Sequence, residues 1–171
     1  MSPPARLVLD RLPSPLGEIL LVTDQAGTVR GLDFHDYAHR LMRLLRLHYG
    51  DLSPEDGGAP AAVRKALTDY FDGQLDALPA ISWATGGTAF QRTVWTALLD
   101  VPAGTTSTYA ALAARIGKPA ATRAVGAANG ANPIAILVPC HRLVGANGSL
   151  TGYAGGLERK QWLLRHEGVR F

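Results

Sequence analysis

One cysteine in 171 residues excludes an internal disulfide framework and any zinc or iron–sulfur site built from several cysteines. Long apolar runs are missing too. Nothing approaches the ~18 uninterrupted apolar residues of a membrane span, and the N-terminal MSPPARLVLD lacks the apolar stretch of a secretory leader. The expectation is a soluble, cytoplasmic protein. Charged residues are only 18% of the chain against 47% hydrophobic, which excludes a disordered tail or a coiled coil. No repeat or low-complexity tract is present. Glycine and proline are plentiful, at 19 and 11, so loops and turns should be numerous. The length allows one large domain or two small ones.

The net charge of +3 is unevenly divided: residues through Thr85 carry −3, and those from Gly86 onward carry +6. Such asymmetry arises by chance in small domains, or because one half faces a polyanion. In the acidic half, Arg6–Asp10, Gly17–Thr23 and Thr28–Phe34 read as short strands of a hairpin or meander, with Asp24-Gln25-Ala26-Gly27 as a turn. Tyr37–Tyr49 and Ala61–Phe71 have helical spacing, separated by a Gly/Pro/Asp loop. Residues Gly73–Gly87 have little periodicity and read as the linker.

Helical signals dominate the basic half. Thr88-Ala89-Phe90-Gln91 fits a capping box ahead of a helix burying Phe90, Val94, Trp95 and Leu98. Ser107 can cap a short helix, Thr108–Ile116, closed by Gly117. Lys118-Pro119 then opens another through Ala128, with Asn129-Gly130 as its stop. Helix, tight turn, helix is the pattern of a helix-turn-helix and equally of any αα-corner. The second helix is nearly bare: Ala120, Ala121, Ala124, Gly126, Ala127 and Ala128 surround Arg123, its one long cation. Small residues permit close approach to a groove wall or to another helix, and alanine is also the best helix former. With one long cation, this helix can read little base sequence.

The apolar run from Asn132-Pro133 to Val138 resembles a buried strand ended by Pro139, which would hold Cys140 at a strand terminus. A lone cysteine is commonly an inert small hydrophobe. Here His141 and Arg142 follow it, and both can favour a thiolate if the chain turns after Pro139. Cys140 is therefore a candidate nucleophile.

Pro139-Cys140-His141-Arg142, with Asn132-Pro133 before it and Gly152-Tyr153-Ala154-Gly155-Gly156-Leu157 and Lys160-x-Trp162-Leu163-Leu164-x-x-Glu167-Gly168 after it, resembles the O6-alkylguanine-DNA alkyltransferase family. Thr108-Tyr109 and Arg123-Ala124-Val125-Gly126 extend the match over Thr88–Gly168, half the chain. The resemblance implies an α+β fold. A small N-terminal α/β (ribonuclease H-like) domain with an antiparallel sheet would span 1–80. A mainly α-helical, winged helix-turn-helix-like domain would span 81–171. It implies irreversible, stoichiometric transfer of an alkyl group from O6-alkylguanine, with O4-alkylthymine left open, to Cys140. His141 would deprotonate the thiol through a water, oriented by Glu167; Tyr109 would assist the leaving base, and Asn132 would brace the turn. A carboxylate so near a helix C-terminus opposes the helix dipole, so Glu167 needs a compensating partner.

The family places its bare helix in the minor groove, where Ala124, Gly126 and Ala127 allow close approach and Arg123 fills the place of a flipped nucleotide. Thr108, Asn129 and Arg142 would join the DNA or substrate contacts. Val138 would offer backbone groups to the base, and Tyr153, Ala154 and Gly155 would close over the alkyl group. Ala154 stands where members often carry Ser, removing a hydroxyl. Asn129-Gly130 stands where some carry larger or basic residues, implying weaker DNA affinity. Members with zinc in the N-terminal half use cysteine ligands absent here, so no zinc and no cofactor are expected. The implied partner is double-stranded DNA bound by a monomer with little sequence specificity, cooperative assembly being left open. Two rivals make opposite predictions. A helix-turn-helix regulator would not need Cys140, and a Cys-His-Glu hydrolase would turn over repeatedly.

Overall fold

The computed structural model describes residues 3–171; Met1 and Ser2, the first residues of the N-terminal segment considered above, lie outside the described residues. Two compact units divide between Gly86 and Gly87. The boundary lies beyond the expected 80/81 because Trp83 bridges to Val29, whose amide donates to Ser82 and whose carbonyl accepts from Ala84. Those hydrogen bonds hold residues 82–84 to the first unit.

In that unit, β1 (Leu7–Leu12), β2 (Ile19–Asp24) and β3 (Val29–Phe34) form an antiparallel meander. The short β4 (Glu55–Asp56) adds parallel to β1, giving the order β3-β2-β1-β4. Asp24 makes the predicted turn: its Oδ1 accepts from the amides of Ala26 at 2.9 Å and Thr28 at 3.0 Å. Helix α1 (Ala38–Tyr49) lays Leu41 and Leu45 on Leu7, Leu9, Leu20 and Val22 of the sheet. It approaches β3 so closely that a Cβ on Gly31 would meet Leu41 at 2.8 Å. Helix α2 (Ala61–Phe71) has the bounds its periodicity predicts and buries Val63, Leu67 and Tyr70.

The second unit opens with α3 (Ala89–Leu98), capped by the reciprocal Thr88–Gln91 box. A two-residue strand, β5 (Ser107–Thr108), leads into α4 (Tyr109–Arg115). Thr108, rather than Ser107, is its cap, accepting from the Ala111 amide at 3.0 Å. Helix α5 is Thr122–Gly130, later at both ends than expected. At its start, Lys118–Ala121 form a turn in which the Ala121 amide donates to the Lys118 carbonyl. At its end, the Asn129 side chain is engaged elsewhere, and the Ala131 amide still reaches the Ala127 carbonyl.

The apolar run 132–138 is not a strand. Ile136 adopts a left-handed φ of 71°, and the amides of Leu137 and Val138 turn back to Ala135 and Ile134. Its β-branched content reflects burial, since Ile134 through Val138 are all buried. A non-glycine residue in that conformation costs about 1–2 kcal/mol and persists only where its surroundings enforce it. A 3-10 turn, Cys140–Arg142, then leads into β6 (Leu143–Val144), which pairs parallel with β5, and α6 (Leu157–His166) ends the unit. No described helix is long and apolar enough to cross a membrane.

Candidate active site

Cys140 begins the 3-10 turn and is 6% exposed. Asn132 braces it from inside the folded run. Its Nδ2 donates to the Val138 carbonyl at 2.8 Å and lies 3.1 Å from Cys140 Sγ, while its Oδ1 accepts from the Ile134 amide at 2.9 Å. From the last turn of α5, Asn129 Nδ2 donates to the Cys140 carbonyl at 3.2 Å. Two asparagines thus fix Cys140, one at its sulfur and one at its backbone.

His141 has no exposed surface. Its Nε2 lies 2.8 Å from Glu167 Oε2, and its Nδ1 has no hydrogen-bond partner among the described residues. Burial pushes the imidazole below its ordinary pKa; Glu167 opposes this, and the neighbouring Arg142 and Lys160 charges reinforce it. The ring is therefore held neutral at physiological pH, the state in which it can take a proton.

Glu167 sits at the C-terminal end of α6, where the helix dipole disfavours it. Burial would raise its pKa, but His141 and the Arg142 guanidinium outweigh burial and hold the carboxyl well below the usual range. Arg142 is the compensating partner. Its Nε donates to Oε1 at 2.8 Å and its Nη2 to Oε2 at 2.9 Å, a bidentate pair. Its Nη1 closes onto the Val101 carbonyl at 2.8 Å. Arg142 is thus 7% exposed and committed to Glu167, not placed with the substrate contacts. Gly104, at φ 86°, permits the close packing here, since a Cβ would meet the Glu167 carbonyl at 2.9 Å.

A cavity of about 670 Å³ lies alongside, lined by Tyr109, Arg123, Gly126, Asn129, Tyr153 and Ala154 among others. Asn129, on its wall, links it to Cys140. Pairing of β5 with β6 carries Tyr109 to the exit of the cysteine turn, and the Tyr109 ring packs on α5 beside Gly126. Arg123, Ala124 and Ala127 are exposed on α5, and Arg123 has no hydrogen bond or ion pair to another described residue. The Val138 carbonyl, expected to meet the base, is occupied by Asn132 and the Cys140 amide. Gly155 is buried and its carbonyl accepts from Arg159.

Lys160 was quoted above only as part of a motif. Its Nζ is fully buried against the carbonyls of Leu143, Thr151 and Gly152, and burial lowers its pKa to about 8 against the opposing pull of Cys140. Residue type alone gives no signal of this burial. Among the described residues, no group of three or more His, Cys, Asp or Glu is arranged to hold a metal ion.

The family model described as "6-O-methylguanine DNA methyltransferase, DNA binding domain" matches residues 89–169. The chain is 49% identical to a methylated-DNA–protein-cysteine methyltransferase of Salmonella typhimurium, covering 95% of this chain and 96% of the relative. It belongs to that family. A methyltransferase of the same name from Methanosarcina acetivorans is 43% identical over 91% of this chain and 94% of its own. The crystal structure of Mycobacterium tuberculosis OGT in complex with DNA aligns with TM-score 0.77 and 38% identity, covering 95% of this chain and 93% of that one. The O6-methylguanine-DNA methyltransferase from Pyrococcus kodakaraensis aligns with TM-score 0.76 at 27% identity, covering 95% and 99%. As in the name of this methyltransferase family, the centre of the site is a cysteine, and the chain has only one.

Proposed function

We propose that this methyltransferase repairs DNA by moving the alkyl group of O6-alkylguanine to Cys140, once per molecule. The observation that carries the reading is the ordered series Cys140, His141, Glu167 and Arg142, in which a buried neutral imidazole is oriented by a carboxylate that a guanidinium keeps ionised. The thiol proton passes to His141 Nδ1 through a bridging water, and the forming imidazolium is stabilised by Glu167. The thiolate attacks the saturated carbon on O6. The S–C bond forms as the C–O6 bond breaks, and the electron pair remains on the guanine oxygen. Tyr109, on the cavity wall, supplies the proton or hydrogen bond that the departing base requires. A soft thiolate suits this displacement, and the thioether has no easy hydrolytic exit.

Double-stranded DNA is the partner. A buried thiol cannot reach a stacked base, so the damaged nucleotide must leave the helix and enter the cavity. The exposed face Arg123, Ala124, Ala127 supports a minor-groove approach, with Arg123 entering the vacated stack. Its neighbours are too small to read sequence, so binding follows shape and damage. The test is stoichiometry on an O6-methylguanine duplex. Unmodified guanine should appear in a burst that stops at one equivalent per protein. Continued turnover would favour a hydrolase, and DNA binding with no guanine formed would favour a regulator.

A further inference from the structure

Lys160 has no part in the steps above, yet it is the one lysine or arginine among the described residues with no exposed surface. Its three donors meet three backbone carbonyls, those of Leu143, Thr151 at 2.7 Å and Gly152 at 3.4 Å, and no carboxylate. A buried ammonium without a carboxylate is costly, and an apolar side chain would fill the same space more cheaply. The choice of acceptors gives the cost a purpose. Leu143 is the first residue after the Cys140–Arg142 turn, and Thr151 and Gly152 are part of the cavity wall that continues into Tyr153 and Ala154. The other backbone hydrogen bonds of this loop are short-range: Gly145 to Ser149, Gly148 to Gly145, and Gly156 to Tyr153.

We propose that Lys160 is a positioning residue of the alkyl-transfer site, whose ammonium clasps the exit of the cysteine turn to the loop wall of the cavity and so fixes where the substituted base sits relative to Cys140 Sγ. The inference rests on the alkyl-transfer reading and adds to it a residue that never touches the reacting atoms. Burial that lowers the Lys160 pKa only to about 8 leaves the cation mostly charged at neutral pH, as a clasp on carbonyls requires.

The test compares two alkylations of the same thiol. Repair of an O6-methylguanine duplex needs the cavity wall; reaction with iodoacetamide, at a pH where the thiol is ionised, does not. In Lys160→Met, loss of hydrogen bonds to a charged group should slow repair by about 10–100-fold, while iodoacetamide labelling of Cys140 stays within about threefold of wild type. Hydrogen exchange should quicken in residues 145–156 and not in α3 or α5. Lys160→Gln, which keeps an uncharged donor of shorter reach, should fall between the two and serves as the deciding variant if Lys160→Met does not fold. An unchanged ratio of repair to labelling in the folded variant would overturn the proposal, as would equal loss of both reactions. Wild-type protein that takes no methyl group would refute the alkyl-transfer reading itself, a separate result.

Discussion

At the scale of single residues, the proposed chemistry depends on a chain of contacts running from Cys140 through His141 and Glu167 to Arg142. Burial keeps His141 neutral, Glu167 orients it and favours the imidazolium when it forms, and His141 and Arg142 together hold Glu167 ionised. Glu167→Gln removes the charge and strands the buried guanidinium, so we expect a loss of about 3–5 kcal/mol in unfolding free energy. We also expect the Cys140 labelling profile to move to higher pH, because the imidazolium loses its stabilising carboxylate. Denaturant melts and pH-resolved iodoacetamide labelling check the two effects; an unmoved profile would remove Glu167 from the relay. Arg123→Ala should behave oppositely. The side chain is exposed and unpaired, so stability should stay within about 0.5 kcal/mol. Duplex repair should slow while reaction with the free alkylated base stays near wild type, and equal losses on both substrates would contradict a role in flipping. Cys140, His141 and the need for a partner to Glu167 were legible in the sequence. The partner was not, because Arg142 beside a candidate catalytic pair reads as a DNA contact until its burial is known. Lys160 was hidden for the same reason: nothing in residue type distinguishes a buried cation from a solvated one.

At the scale of elements, periodicity located α1, α2 and α3 well, since each buries one stripe against a neighbour. It failed in the segment that matters most. The run before Cys140 has strand composition but folds as a compact turn, because Asn132 bonds both ends of it and Ile136 takes the left-handed conformation. Burial on every side selects the same residues that a strand does. Helix α5 divides the same way: Val125, Ala128 and Asn129 face inward, and Arg123, Ala124, Ala127 and Gly130 face out. A larger residue on the outer face should therefore cost affinity and not stability. For Ala127→Leu, we expect thermal unfolding within a few degrees of wild type and at least about tenfold weaker duplex binding by titration, the penalty expected for a clash in a close-fitting groove. Unchanged binding would show that this face does not approach DNA.

For the whole molecule, the +3 charge proves to be a poor guide to the surface. Two of the nine cations in the basic half, Arg142 and Lys160, are buried in the site, and Arg115 is paired with Asp100. Six cations of that half remain for phosphates, so the plot of log affinity against log salt should be no steeper than about −5; a steeper slope would require contacts beyond those this half offers. The buried site also sets the response to acid. His141 has a folded pKa below 6.5, so only the unfolded chain takes up its proton as pH falls through that value. Glu167 likewise has a folded pKa below 4.5, and its stabilisation is present above that value and lost below it. Melting temperature should be flat near neutrality, decline below about pH 6.5 and drop more steeply below about pH 4.5. A rise between pH 6.5 and 5 would contradict a buried neutral imidazole. The central claim, however, is covalent and concerns one atom. After incubation with an O6-methylguanine duplex and proteolysis, the peptide containing Cys140 should be heavier by one CH₂, with the mass carried on sulfur. An unmodified Cys140 peptide after prolonged reaction with excess duplex would contradict it.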